Sequence, residues 1–197
     1  ALKRQNDRLS RLDRVNRLIR SIVPAVVSAE DRTTVESAVC QRLTDLEGVT
    51  GAWLADIDIP TGRTVRRARA GRLDGYLADV PTHDSSLDGD AQSVEPSPAR
   101  RAHETGAPVF VDDLLGADPG VWWRDRALKS GVNTVAAVPI ADGSTPLGAL
   151  EVHVCRPRGL HDDEVDALEE LGVTIGHAVG AIRRREALLS GGSVVLE

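Results

Sequence analysis

Two stretches of this chain alternate apolar and polar residues and then double back, and this constrains the fold more than any other feature. Residues 51–57 (Gly-Ala-Trp-Leu-Ala-Asp-Ile) read as a strand, Asp58-Ile-Pro-Thr-Gly62 as turn chemistry, and Thr64–Ala70 as the return strand. Asn133–Ile140 and Leu147–Val154 repeat the pattern around Ala141-Asp-Gly-Ser-Thr-Pro146. Strands joined by so short a link pair antiparallel. Helical patterns flank both hairpins, so the class is α+β with a central antiparallel sheet.

The helices follow from their caps and seams. Residues 2–29 carry heptad positions: Leu2, Leu9, Asn16 and Val23 share one, and Gln5, Leu12, Ile19 and Val26 another. Ser28 or Asp31 caps a second helix over about residues 31–46 that Gly48 stops. Residues 73–80 read as a short helix, 81–98 as a long Pro/Ser/Asp/Gly loop, and Ser97 or Pro98 opens a helix through Thr105. Pro108–Val111 is a short strand and Val121–Lys129 a helix ending at Gly131. His161 or Asp162 caps a long last helix with the seam Val165, Leu168, Ile175, Val179, Ile182 and Leu189. This order puts the first, second and last helices on one sheet face. The short helices and loops of residues 72–130 cover the other, where they leave a pocket.

The first helix has more apolar positions than one sheet face can cover, and the last has the same surplus. A second copy would take them up in a parallel dimer through Leu9, Leu12, Asn16, Ile19, Ile175 and Ile182, with Asn16 fixing the register. Residues 1–20 hold seven basic and two acidic side chains, a net +5, read as a solvated coiled-coil flank. The chain then divides into a signalling helix (1–28), a sensor domain (29–189) and the start of a truncated following region (190–197).

Composition narrows the class. No apolar run reaches the roughly 18–20 residues of a membrane span. Two cysteines, Cys40 and Cys155, are too few for a disulfide framework or a Cys-rich zinc site. The formal charge of −6 argues against a nucleic-acid-binding surface. These features point to a soluble cytoplasmic domain. Of 24 basic residues only Lys3 and Lys129 are lysine, and Asp outnumbers Glu 19 to 11. A Lys-poor, Asp-rich surface suits concentrated salt, where long-range charge repulsion is screened.

From Gly106 onward the ordered motifs resemble the GAF domain, a small-molecule sensing module. They are Gly106-Ala-Pro-Val-Phe-Val-Asp112, Asp118-Pro-Gly, Trp123-Arg124 before Gly131, Ala136-Ala-Val-Pro139-Ile140, Gly148-Ala-Leu-Glu-Val-His153, and the acidic Asp162-Asp-Glu-Val-Asp-Ala-Leu168. The resemblance covers about residues 29–186. The entry helix Leu9–Arg20, the exit Arg185-Glu-Ala-Leu-Leu-Ser190 and the Asp-rich composition are similar to archaeal bacterio-opsin-activator-type transcription regulators. That resemblance implies a non-catalytic sensory domain that relays small-molecule or upstream-domain signals through its terminal helices. DNA contact would then come from a helix-turn-helix outside this segment. A sensor histidine kinase GAF domain is the alternative, and a GAF-like reductase is an alternative of another class.

No catalytic constellation is visible. The histidines 83, 103, 153, 161 and 177 have no His or Cys at a C-x2-C or H-x3-H type of ligand spacing, so no metal is expected. Cys40 reads as a buried hydrophobe and Cys155 as a strand end. Glycine-rich phosphate loops are missing, and no cofactor is expected. What is left is a ligand pocket whose candidate lining is Trp53, Tyr76, Trp122, Trp123, Glu151 and His153. Aromatic walls with a few polar groups suit an unidentified small molecule.

Overall fold

The computed structural model describes residues 13, 16, 19–58, 63–77, 96–116, 122–156 and 159–191. A first helix, α1, runs through residues 19–28, and residues 13 and 16 are helical as well. Asp31 caps α2 (Arg32–Leu43), its side chain accepting from the Thr34 amide at 2.9 Å. The helix stops three residues short of the expected Leu46. Thr44, Asp45 and Leu46 turn back on the last carbonyls in i→i+3 bonds, and Gly48 takes φ +82° to enter the sheet.

The strands are β1 (Val49–Asp58), β2 (Arg63–Gly71), β3 (Val109–Val111), β4 (Thr134–Asp142) and β5 (Thr145–Val154). They form one antiparallel sheet in the order β2-β1-β5-β4-β3. The second hairpin is tighter than the six-residue turn expected from sequence. Asp142 still pairs with Thr145, so only Gly143 and Ser144 make the turn. Gly143 sits at φ +60°, which two-residue hairpin turns require and glycine reaches without strain.

Side-chain alternation divides the core as the pattern predicts. On one face Ala52, Leu54, Ala136, Val138, Leu150, Val152 and Val154 meet Ile22 and Val26 of α1, Val35, Val39 and Leu43 of α2, and the last helix, α6 (Asp162–Gly191). On the other face Trp53, Ala55, Val135 and Ala149 meet residues of α3 (Asp74–Leu77), α4 (Pro98–Thr105) and α5 (Trp122–Lys129). The helix expected over 73–80 is described only as Asp74–Leu77, and residues 81–95 of the expected long loop lie outside the described residues.

Helix α6 lies on β4 with almost nothing between them. Gly172, Gly176 and Gly180 repeat every fourth residue along one stripe of the helix. A Cβ at Gly172 would lie 2.7 Å from the Pro139 carbonyl oxygen, and one at Gly176 would press into the Ala141 peptide. Only glycine permits so close an approach of helix to strand backbone. At the start of α6, Glu164 accepts from the His161 amide at 2.9 Å, which satisfies one end of a capping box, and it also pairs with Arg156 at 2.8 Å.

One further polar cluster ties this side together. Buried Glu36 pairs with Arg32 (2.5 Å) and Arg67 (3.6 Å). Asp56 of β1 meets Arg32, Arg67 and Arg183, the last on α6. Arg184 of α6 also pairs with Asp142 at the end of β4.

Candidate functional site

The polar heart of the opposite face is Glu151. Trp53 and Glu151 are direct cross-strand partners on β1 and β5, and the Trp53 Nε1–H donates to Glu151 Oε1 at 2.9 Å. His153, two residues along β5 and therefore on the same face, meets the same oxygen through Nε2 at 2.7 Å. Glu151 Oε2 accepts from the Ala99 amide at 3.0 Å. Ala99 lies in the first turn of α4, which Pro98 opens and Ser97 caps, so its amide is one of the donors that a helix leaves unpaired. The fully buried carboxylate thus receives three hydrogen bonds from three separate elements.

Tyr76 of α3 packs edge-on against His153, ring centroids 4.3 Å apart at 78°. Burial pushes its hydroxyl well above the ordinary tyrosine range, and the negative charge of Glu151 adds to the effect. The hydroxyl therefore stays protonated. Two buried polar atoms of this face, His153 Nδ1 and Trp123 Nε1, find no hydrogen-bond partner among the described residues, while the Tyr76 hydroxyl has Glu151 as its neighbour. An unsatisfied buried group costs about 1–3 kcal/mol.

Of the six residues proposed from sequence, the structure brings Trp53, Tyr76, Trp123, Glu151 and His153 together in or beside one buried cluster. Trp122 opens α5, but its side chain lies outside the described residues. Sequence reading missed the Ala99 amide, because a backbone donor has no residue-type signature. It also missed His103, whose Nδ1 meets the Gly148 carbonyl at 3.3 Å and ties α4 to β5. Among the described residues no group of three or more His, Cys, Asp or Glu is placed to hold a metal.

The helix residues proposed for a partner seam separate into groups. Leu9 and Leu12 lie outside the described residues. Asn16 is helical and exposed, and Ile19 is half-buried beside Leu43, Val49 and Leu168. Ile175 is fully buried and Ile182 nearly so, both in the domain's own core. That corrects the assignment of these two to a partner seam: the sheet takes up the inward stripe of α6. The apolar surplus sits elsewhere, at Val27 (74% exposed), Val173, Leu188 and Leu189. An open groove of about 500 Å³ runs between α1 and α6 beside Val26, Ala178, Ala181 and Ile182.

A family model for the GAF domain matches residues 29–179, which is most of the chain. The chain belongs to the GAF domain family. Among curated relatives of this GAF chain, a predicted transcriptional regulator of Haloferax volcanii is 28% identical over 99% of the chain. The bacterioopsin transcriptional activator of Halobacterium salinarum is 28% identical over 91% of it. Both organisms are halophilic archaea. The chain spans only 31% and 24% of the lengths of these two relatives. Among solved structures, the free methionine-R-sulfoxide reductase of Neisseria meningitidis superposes with a TM-score of 0.65. The match covers 87% of this chain and 91% of that one, at 14% identity, and it shows the shared fold. No helix among the described residues is long and apolar enough to cross a membrane.

Proposed function

We propose that this GAF domain is the non-catalytic sensory module of a cytoplasmic transcription regulator, acting as a homodimer whose terminal helices signal to a DNA-binding region outside the chain. A small molecule or an upstream signal acting at the Trp53–Tyr76–Glu151–His153 face biases one placement of α6 over another. One observation carries this reading: a single strand separates the face from the outgoing helix. Glu151 and His153 stand opposite Ala137 and Val135 of β4, and a few residues along that strand the Pro139 and Ala141 peptides are the surface on which Gly172 and Gly176 rest. Side chains can change rotamer and absorb a shift, whereas backbone resting on backbone transmits it. The naming of the two curated relatives supports a regulatory role. Burial pushes the Cys40 thiol up to about 12, which suppresses a nucleophilic thiolate and disfavours the reductase alternative. The exposed Val27, Val173, Leu188 and Leu189 support a partner helix.

Two measurements test this. In concentrated salt, sedimentation should give twice the 21.0 kDa chain mass, falling to one chain mass on Leu188→Asp with Leu189→Asp. A single chain mass for the native protein across the micromolar range refutes the dimer. Hydrogen exchange in Glu151→Gln should show protection along α6 altered beyond the uniform loss seen along α2; an α6 change no larger than that of α2 refutes the relay.

A further inference from the structure

The outward face of α6 is symmetric in position and opposite in charge about its middle. His177 stands at the centre of one stripe of the helix. Val173 and Ala181 lie four residues to either side of it, Glu170 and Arg184 seven, and Asp166 and Leu188 eleven, all at helical spacing and all exposed. Between Val165 and Arg185 every acidic residue precedes His177 and every basic residue follows it. Turned end for end about His177, the stripe therefore complements itself. Glu170 comes to stand opposite Arg184, and Val173 opposite Ala181, each pair occurring twice.

Resting on the homodimer proposed above, we infer that a second copy of this chain covers the stripe, its α6 packed antiparallel with the two-fold axis at His177. The parallel order expected from sequence sets Glu170 against the partner's Glu170 and Arg184 against the partner's Arg184, and like charges so placed repel. Antiparallel order replaces both repulsions by attractions and also aligns the two helix dipoles favourably. Arg184 already pairs with Asp142 of its own chain, and a guanidinium has donors left for a second carboxylate. Val173 and Ala181 are short side chains that let two helices approach to the usual separation of about 8–10 Å. Beside the centre of the stripe, the groove of about 500 Å³ lined by Val27, Thr174, Ala178 and Ala181 leaves room for side chains of the second helix. The ion pairs become partly buried in such an interface, where salt screens them less than it does on an open surface.

Two measurements on the full chain, at the salt concentration of the sedimentation test, separate the two orders. The first is the distance between spin labels on Asp166→Cys, with the exposed Cys155 changed to serine and the buried Cys40 left in place. Antiparallel order should give about 33 Å, twice the 11 residues from Asp166 to His177 at about 1.5 Å each. Parallel order gives about 10 Å, the separation of the helices themselves. The second is a charge reversal read by sedimentation. Glu170→Arg places a guanidinium opposite the partner's Arg184 and should raise the dimer dissociation constant about a hundredfold, both pairs turning from attraction to repulsion. Adding Arg184→Glu to the same chain should bring the constant back towards the native value. In a parallel dimer Glu170→Arg only exchanges one like-charged pair for another and leaves the constant in place. A dimer with the short distance, or one indifferent to Glu170→Arg, keeps the homodimer and overturns the antiparallel order. A single chain mass for the native protein removes both.

Discussion

Replacing Gly176 by alanine sets two effects of opposite sign against each other. In an exposed helix interior the change gains about 0.5–1 kcal/mol, because glycine loses more backbone freedom on folding. At this position the new Cβ would lie 2.7 Å from the Ala141 carbonyl carbon, inside the 3.0 Å that real Cβ contacts respect. The obstacle is strand backbone, which has no rotamer to change, so α6 must lift off β4. A gap of roughly 0.5–1 Å forfeits a quarter to a half of each dispersion contact across the interface. That interface includes Leu171, Ile175 and Val179, all buried. Overpacking of this kind costs about 1–3 kcal/mol, and contact with backbone puts this case near the upper end. The net is a loss of about 2 kcal/mol, or about 4–8 °C in Tm for a domain of this size. Thermal melts by circular dichroism at fixed salt, run on all three stripe glycines, provide the control. Gly172→Ala should be milder. Gly180→Ala should be milder too, since its Cβ meets the Asp142 side chain, whose carboxylate can swing aside although its own Cβ, 2.7 Å away, cannot. A Gly176→Ala protein that melts at or above the native temperature would refute the reasoning.

Other substitutions carry their own signs. Burial raises the Glu36 carboxyl above its ordinary value despite the Arg32 partner. The folded state therefore holds a proton that the unfolded chain releases, and stability from this group is lost as pH rises above 4.5. Glu36→Gln should accordingly be the more stable protein at pH 7, with the advantage shrinking as pH falls towards 4.5; denaturant melts showing a less stable variant at pH 7 would contradict this. Glu151→Gln gives three donors only one acceptor oxygen and should cost about 3 kcal/mol, read as a lower urea midpoint at unchanged slope. Ser97→Ala removes the cap that accepts from the Arg100 amide and should cost about 1 kcal/mol by the same assay.

Much of this was legible in the chain because alternation and caps are local. The faces of β1 and β5 follow from period two, which put Trp53, Glu151 and His153 on one side and Leu54, Leu150 and Val152 on the other. Asp31 announced α2 because a short carboxylate before an apolar stripe can close a free amide. Features that depend on a distant neighbour were not legible. What Gly172, Gly176 and Gly180 are for depends on β4 beneath them, which no local pattern announces. Ile175 and Ile182 looked surplus because sequence cannot tell a seam facing its own sheet from one facing a partner. Arg32 and Glu36 form a visible i,i+4 pair, but Asp56, which binds the same guanidinium, is 24 residues away. In the second hairpin, four of the six residues read as turn pair across the strands, and Gly143 supplies the conformation that the two-residue turn needs.

The order of the strands has a kinetic consequence. Each hairpin can close on its own within a short loop, yet the central seam joins β1 to β5, and its partners Trp53 and Glu151 are 98 residues apart. Bringing such ends together from an open chain costs about 4 kcal/mol of loop entropy before any seam bond repays it. The two hairpins should therefore form early as independent units, and the docking of one against the other should limit the folding rate. Until that docking, β1 and β5 each present a free edge of Val, Leu and Ala, so the half-folded chain is the species most exposed to pairing with another copy of itself.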